Sequence, residues 1–94
     1  MHSIHFKADQ KLIDFINEKL GKLQTHFDQI IVSEVFLRLD NDTEKENKIS
    51  EVKILIPGKE LFAKKQCKSF EEATDLCVDA LKTQIQKYKA KIAS

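Results

Sequence analysis

Hydrophobic residues recur along this chain with two different periods, and each switch between the periods marks a boundary between elements. Ile4 and Phe6 alternate with polar neighbours, which predicts a short first strand over residues 2–7, after which Asp9 is placed to cap a helix. In that helix Leu12, Ile16, Leu20, Leu23 and Phe27 follow spacings of three and four, a single apolar stripe that runs to about residue 27. Near Asp28 the period drops to two. From 30 to 40 Val35, Leu37 and Leu39 share one face of a strand and Glu34, Phe36, Arg38 and Asp40 the other. The polar stretch 41–47 is a turn, Val52, Ile54 and Ile56 lie along a second long strand, and Pro57-Gly58 ends it. Residues 60–68 form a fourth, less regular strand with Leu61 and Ala63 inward.

The last helix opens on Ser69-Phe70-Glu71-Glu72, a capping box in which the Ser69 hydroxyl accepts from the Glu72 N–H while that carboxylate reaches back. Phe70, Ala73, Cys77, Ala80, Leu81, Gln84 and Tyr88 then line one stripe, and the pattern continues to about Ile92. The order is β-α-β-β-β-α, an α+β fold. A right-handed crossover makes the first two strands parallel and tight turns make the rest antiparallel. Both helices then cover one face of a four-stranded mixed sheet.

Ninety-four residues, 41% of them hydrophobic, suit a single domain, 1–94, because a chain this size buries roughly 60–70% of its unfolded surface. No stretch approaches the roughly 20 apolar residues of a membrane span, and residues 1–7 lack the apolar region of a signal peptide. The expectation is a cytoplasmic protein without a membrane partner. Cys67 and Cys77 lie ten apart without C-x-x-C spacing, which fits reduced, buried thiols. There is no nucleophile-and-base constellation, no H-E-x-x-H and no glycine-rich phosphate cradle. The chain is therefore expected to be no enzyme, with no cofactor and no small-molecule substrate. His2 and His5 share a strand but not a face, and His26 is on the first helix. A three-histidine metal site would need the fold to gather them, and surface histidines are the simpler reading.

Charge changes the picture more. The net +1 hides an uneven division: residues 1–33 carry four basic and four acidic side chains, 34–60 five and seven, and 61–94 seven and four. No acid follows Asp79, while Lys82, Lys87, Lys89 and Lys91 close the last helix. A basic terminal third fits a polyanionic partner. With steps of about 100° per residue, Lys11, Lys19, Lys22 and His26 fall on one flank of the first helix and Asp14 and Glu18 at its back. On the last helix, centred at Cys77, Lys87 and Lys91 fall on one flank, Lys82 and Lys89 on the other, and Glu72, Asp75 and Asp79 on the far side. Two such helices side by side bring one flank from each into a shared groove. Lysines at a helix end also complement its macrodipole and aid solubility. Three readings thus stand together: a nucleic-acid binder with RNA favoured over DNA, a general double-stranded-RNA module, and a protein-interaction domain. Lys64, Lys65 and Lys68 either extend the basic surface or guard an edge strand, and Phe36 is an outward aromatic with no second one beside it.

The run Leu20-Gly21-Lys22-Leu23-Gln24-Thr25-His26-Phe27-Asp28, the strand Val35-Phe36-Leu37-Arg38-Leu39, the segment Leu61-Phe62-Ala63 and the ending Ala73-Thr74-Asp75 through Leu81-Lys82-Thr83-Gln84-Ile85-Gln86-Lys87-Tyr88-Lys89-Ala90-Lys91-Ile92 together resemble the ribosome hibernation-promoting factor family, also called the ribosome-associated inhibitor or protein Y family. The likeness covers nearly the whole chain. It implies a fold similar to double-stranded-RNA-binding domains and a stress or stationary-phase translation inhibitor. Its partner would be the small ribosomal subunit and its rRNA, occupied between head and body where messenger and transfer RNA sit. Residue by residue, Lys19 and Lys22 match the family's paired first-helix lysines, and Lys87, Lys89 and Lys91 its terminal ladder. Thr83 stands where the family often has arginine, and Lys82 supplies a charge from a different angle. The chain ends at Ser94, short of the C-terminal domain with which long members pair ribosomes, so it resembles the short class. The free protein is expected to be a monomer.

Overall fold

The computed structural model describes residues 2–5, 9–40 and 45–93, with the side chains of 2–5 and 92–93 left aside. Its elements are β1 (His2–His5), α1 (Gln10–His26), β2 (Val32–Leu39), β3 (Lys48–Ile56), β4 (Lys59–Cys67) and α2 (Phe70–Ala93). Three residues expected in the first strand or just beyond it, Phe6, Lys7 and Ala8, and four of the turn residues, 41–44, lie outside the described residues.

β2, β3 and β4 form an antiparallel sheet, with Val35 opposite Val52 and Val52 opposite Ala63. β1 lies parallel to β2, with Ile4 opposite Val35. The register stacks Ser33, Val35 and Leu37 beside Ile54, Val52 and Ser50, so alternate residues of all three antiparallel strands turn to one side. That side is the buried one. α2 lies over β3 and β4, and α1 packs beside α2 toward β1. Ile16, Leu20 and Leu23 of α1 meet Cys77, Val78, Leu81 and Ile85 of α2 over Val52, Ile54 and Ile56. Leu39 is the exception to the inward set, 48% exposed where β2 runs past the helices.

Local signals fix the ends of the elements. The Asp9 carboxylate accepts from Leu12 N at 2.9 Å and opens α1, and Ser69 Oγ accepts from Glu72 N at 3.1 Å and opens α2. Between β3 and β4 the loop is two residues long, with Ile56 opposite Lys59. Gly58 takes φ +76°, the left-handed backbone a proline-glycine turn needs at its third position.

The buried face of α2 is broader than the stripe centred on Cys77. Thr74, Val78 and Ile85 are all buried, whereas Ala80, Gln84 and Tyr88 are only half-buried. The centre of burial is rotated toward α1, because α2 serves two neighbours at once and must fill the wedge between the sheet and α1.

Candidate nucleic-acid interface

α2 carries its lysines in two lines. Asp75, Lys82 and Lys89 follow each other at seven-residue spacing and so share one side of the helix. One end of that line meets α1 and the other the residue that caps it: Lys19 Nζ lies 2.8 Å from Asp75 Oδ1, and Lys89 Nζ stands 5.2 Å from the centre of the Phe27 ring. Asp75 was expected on the far side of α2. It instead faces α1, a consequence of the same rotation that buries Thr74 and Val78. The Asp75 carboxylate, by accepting from Lys19, raises that ammonium's pKa above the ordinary lysine value, against a smaller opposing effect of desolvation. Lys22 lies 3.5 Å from Glu18 one turn back. Each of the two α1 lysines therefore already stands beside a carboxylate.

The second line is Gln84, Lys87, Tyr88 and Lys91, at the spacings of one helix face. It turns toward β4 and the β3–β4 turn. Gln84 Nε2 donates to the Phe62 carbonyl at 2.9 Å, and the Tyr88 hydroxyl donates to the Pro57 carbonyl at 3.2 Å. Between these two ties a cleft of about 280 Å³ opens, lined by Lys59, Glu60, Gln84, Lys87, Tyr88 and Lys91, with Leu61 at its base. Lys59 Nζ lies 6.0 Å from the centre of the Tyr88 ring. Tyr88 in turn meets Phe27 edge-on, ring centres 6.3 Å apart at 89°. An aromatic pair thus runs beneath the end of α2 and carries a lysine on each side.

Sequence spacing did not connect Lys59 with α2. Residues 59 and 87 are joined only by the antiparallel return of the chain, a relation that no local motif encodes. Lys64, Lys65 and Lys68 belong to the other end of the molecule. Lys64 is opposite Glu51 on the outer sheet face, Lys65 is opposite Ser50, and Lys68 lines a depression with Lys45, Glu46, Asn47 and Lys48. The outer face also holds a second outward aromatic, contrary to expectation. Phe62 is 47% exposed, two register rows from Phe36 and so in the next row on the same face. Around these rings, Arg38 pairs with Glu51, and Lys53 lies 3.8 Å from Glu34 and 4.0 Å from Glu60.

His26 is exposed at the end of α1, and the side chains of His2 and His5 are outside the described residues. Among the described residues no group of three His, Cys, Asp or Glu side chains is arranged to hold a metal ion, and no helix is long and apolar enough to cross a membrane. Cys67 and Cys77 are free and buried. Burial pushes the Cys77 thiol up to about 11, and burial likewise raises Cys67.

The model of the Sigma 54 modulation protein / S30EA ribosomal protein family matches residues 1–93. A ribosome hibernation promoting factor of Pseudomonas putida is 32% identical over 87 residues, 93% of this chain and 81% of that protein. A ribosomal subunit interface protein from Coxiella burnetii superposes with a TM-score of 0.83 over 96% of this chain and 99% of that one, at 24% identity. The N-terminal domain of Thermus thermophilus Protein Y gives 0.75 over 93% and 94%, at 22% identity. These two structural likenesses establish the fold: two helices packed on an antiparallel sheet.

Proposed function

The chain belongs to the Sigma 54 modulation protein / S30EA ribosomal protein family, and from that premise we propose that it is a ribosome hibernation factor, which binds the ribosome and lowers translation by occupancy rather than by catalysis. The observation that carries this reading is the family match across residues 1–93, together with a curated relative named for ribosome hibernation. The geometry supports the finer statement that the partner is the rRNA of the small subunit. Two lines of lysine flank the exposed end of α2, and a rigid sheet holds that helix in place. The parallel β1 adds a fourth strand beside β2, and the remaining α1-β2-β3-β4-α2 order is what supports our proposal of a likeness in kind to double-stranded-RNA-binding domains. Lys19, Lys22, Lys82, Lys87, Lys89 and Lys91 are the residues assigned to RNA phosphates. Affinity then comes chiefly from counterion release, with shape selecting the site. The protein acts in the cytoplasm, without cofactor, and travels as a monomer.

The test is a titration in a translation extract. Synthesis should fall in proportion to ribosomes bound, and saturating messenger and transfer RNA should relieve the inhibition. Inhibition by protein far below the ribosome concentration would point to catalysis and overturn the reading. Displacement from small subunits by any RNA duplex with equal ease would assign it to general duplex binding instead.

A further inference from the structure

We propose that the cleft between the β3–β4 turn and the end of α2 is a phosphate-binding subsite, in which Lys59 joins Lys87 and Lys91 around one phosphodiester of an RNA backbone. The proposal rests on the RNA-binding reading above and adds to it a residue from a different element.

Three observations carry it. The first is concavity: the cleft measures about 280 Å³, and lysines approach it from both walls, Lys87 and Lys91 from the helix and Lys59 from the turn. The second is construction. The turn that carries Lys59 is a two-residue loop with Gly58 at φ +76°, and the Tyr88 hydroxyl ties it to α2 through the Pro57 carbonyl. Gln84 ties the same helix to β4 one turn earlier, at the Phe62 carbonyl. The walls are thus fixed to each other by two hydrogen bonds from neighbouring turns of α2.

The third is electrostatic. Lys19 and Lys22 stand beside Asp75 and Glu18, whereas neither Lys59 nor Lys87 forms an ion pair with any acid among the described residues. Glu60, the acid that lines the cleft, is 4.0 Å from Lys53 on the outer sheet face. Lys59 and Lys87, two ammonium groups in one concavity with no described acid paired to either, repel each other, and an entering phosphate relieves that repulsion. A phosphodiester suits them better than a planar carboxylate, because lysine ammoniums act as compact point charges and lack the fork that grips carboxylates in pairs.

The test measures binding of the full chain to purified small ribosomal subunits from about 50 to about 200 mM salt. Lys59→Ala should reduce counterion release at that phosphate, so that the affinity lost across this range shrinks by up to about threefold relative to the wild type, the share of one full counterion, and Lys59→Arg should restore the wild-type dependence. Repeating the measurement with protein-free rRNA should give the same change. A change seen only with intact subunits would assign Lys59 to an acidic ribosomal protein and overturn the phosphate. Tyr88→Phe keeps every charge and unties the turn. It should weaken binding without altering the salt slope, and its effect should disappear in a Lys59→Ala background. An unchanged slope for Lys59→Ala, while Lys82→Ala and Lys89→Ala flatten it, would overturn the cleft and leave the ribosome reading standing. Wild-type binding that ignores salt would overturn that reading itself.

Discussion

At the contact of β3 with α2, two hydroxyls face each other inside the core: Ser50 Oγ and Thr74 Oγ1 lie 3.0 Å apart, and the Cys77 thiol donates to the Ser50 carbonyl at 3.2 Å. Ser50, Thr74 and Cys77 have no exposure, so each polar atom depends on the others. Thr74→Val should leave the Ser50 hydroxyl without its side-chain partner and cost about 1–3 kcal/mol in urea unfolding. A Ser50→Ala, Thr74→Val double variant should recover part of that loss. The same cluster sets a pH dependence. Above its ordinary value of 9.0 an unfolded Cys77 ionises, while the folded thiol stays protonated to about 11. The unfolded state then binds fewer protons, so stability should fall as pH rises from about 9 to about 11, by up to about 2–3 kcal/mol. Lys19, whose pKa is raised by Asp75, adds a loss of the same sign above the ordinary lysine range. Cys77→Ala should flatten the slope by its own share, and unfolding curves across that interval would show it. The burial of Cys77 was legible in the sequence, but its partners Ser50 and Thr74 were not, since a buried serine or threonine reads as a surface residue. Its burial depends on which side of the helix the partner element lies.

The helices and strands themselves were legible, because their periods differ and their ends carry caps. The α1 stripe from Leu12 to Phe27, the turn at Pro57-Gly58 and the start of α2 at Ser69 all follow from local chemistry. Ser69→Ala should cost about 1 kcal/mol by removing the acceptor for the Glu72 N–H, measurable as a lowered melting temperature. What local chemistry did not give was the rotation of α2 about its axis, since a stripe of seven half-apolar positions has a poorly defined centre. That uncertainty moved Asp75 to the wrong side and hid Val78 and Ile85 from the core. The same helix is unevenly anchored along its length. From Gln86 to Lys91 only Tyr88 is even half-buried, whereas Cys77, Leu81 and Ile85 have no exposure. Amide exchange should therefore be much faster over the last turns than near Leu81 in the free protein. Ribosome binding should slow it there, and mass spectrometry of deuterated peptides would resolve the two regions.

Over the whole molecule, charge and shape are sorted together. The end of α2 is strongly basic, while the outer sheet face balances Arg38, Lys53 and Lys64 against Glu34, Glu51 and Glu60 around the exposed Phe62, the half-buried Phe36 and the exposed Leu55. Those apolar groups are separated by paired charges, so among the described residues the outer face presents no broad apolar patch of the kind that drives strong self-association. Light scattering at micromolar concentration should accordingly give the mass of one chain, and a stable dimer would make Phe36 and Phe62 part of an interface. The sign imbalance between chain segments was plain in the sequence, but the pairing of Lys19 with Asp75 and the meeting of Lys59 with Lys87 were not, because both depend on three-dimensional return of the chain. The buried thiols have a practical meaning at this scale. With its thiol pushed up to about 11 and no exposed surface, Cys77 stays protonated at neutral pH, and burial raises the Cys67 thiol as well. A fluorophore aimed at thiols would thus pass over the native chain and settle on whichever surface position is given a cysteine, turning the fold into a ruler for distances on the ribosome with both of its own cysteines left in place.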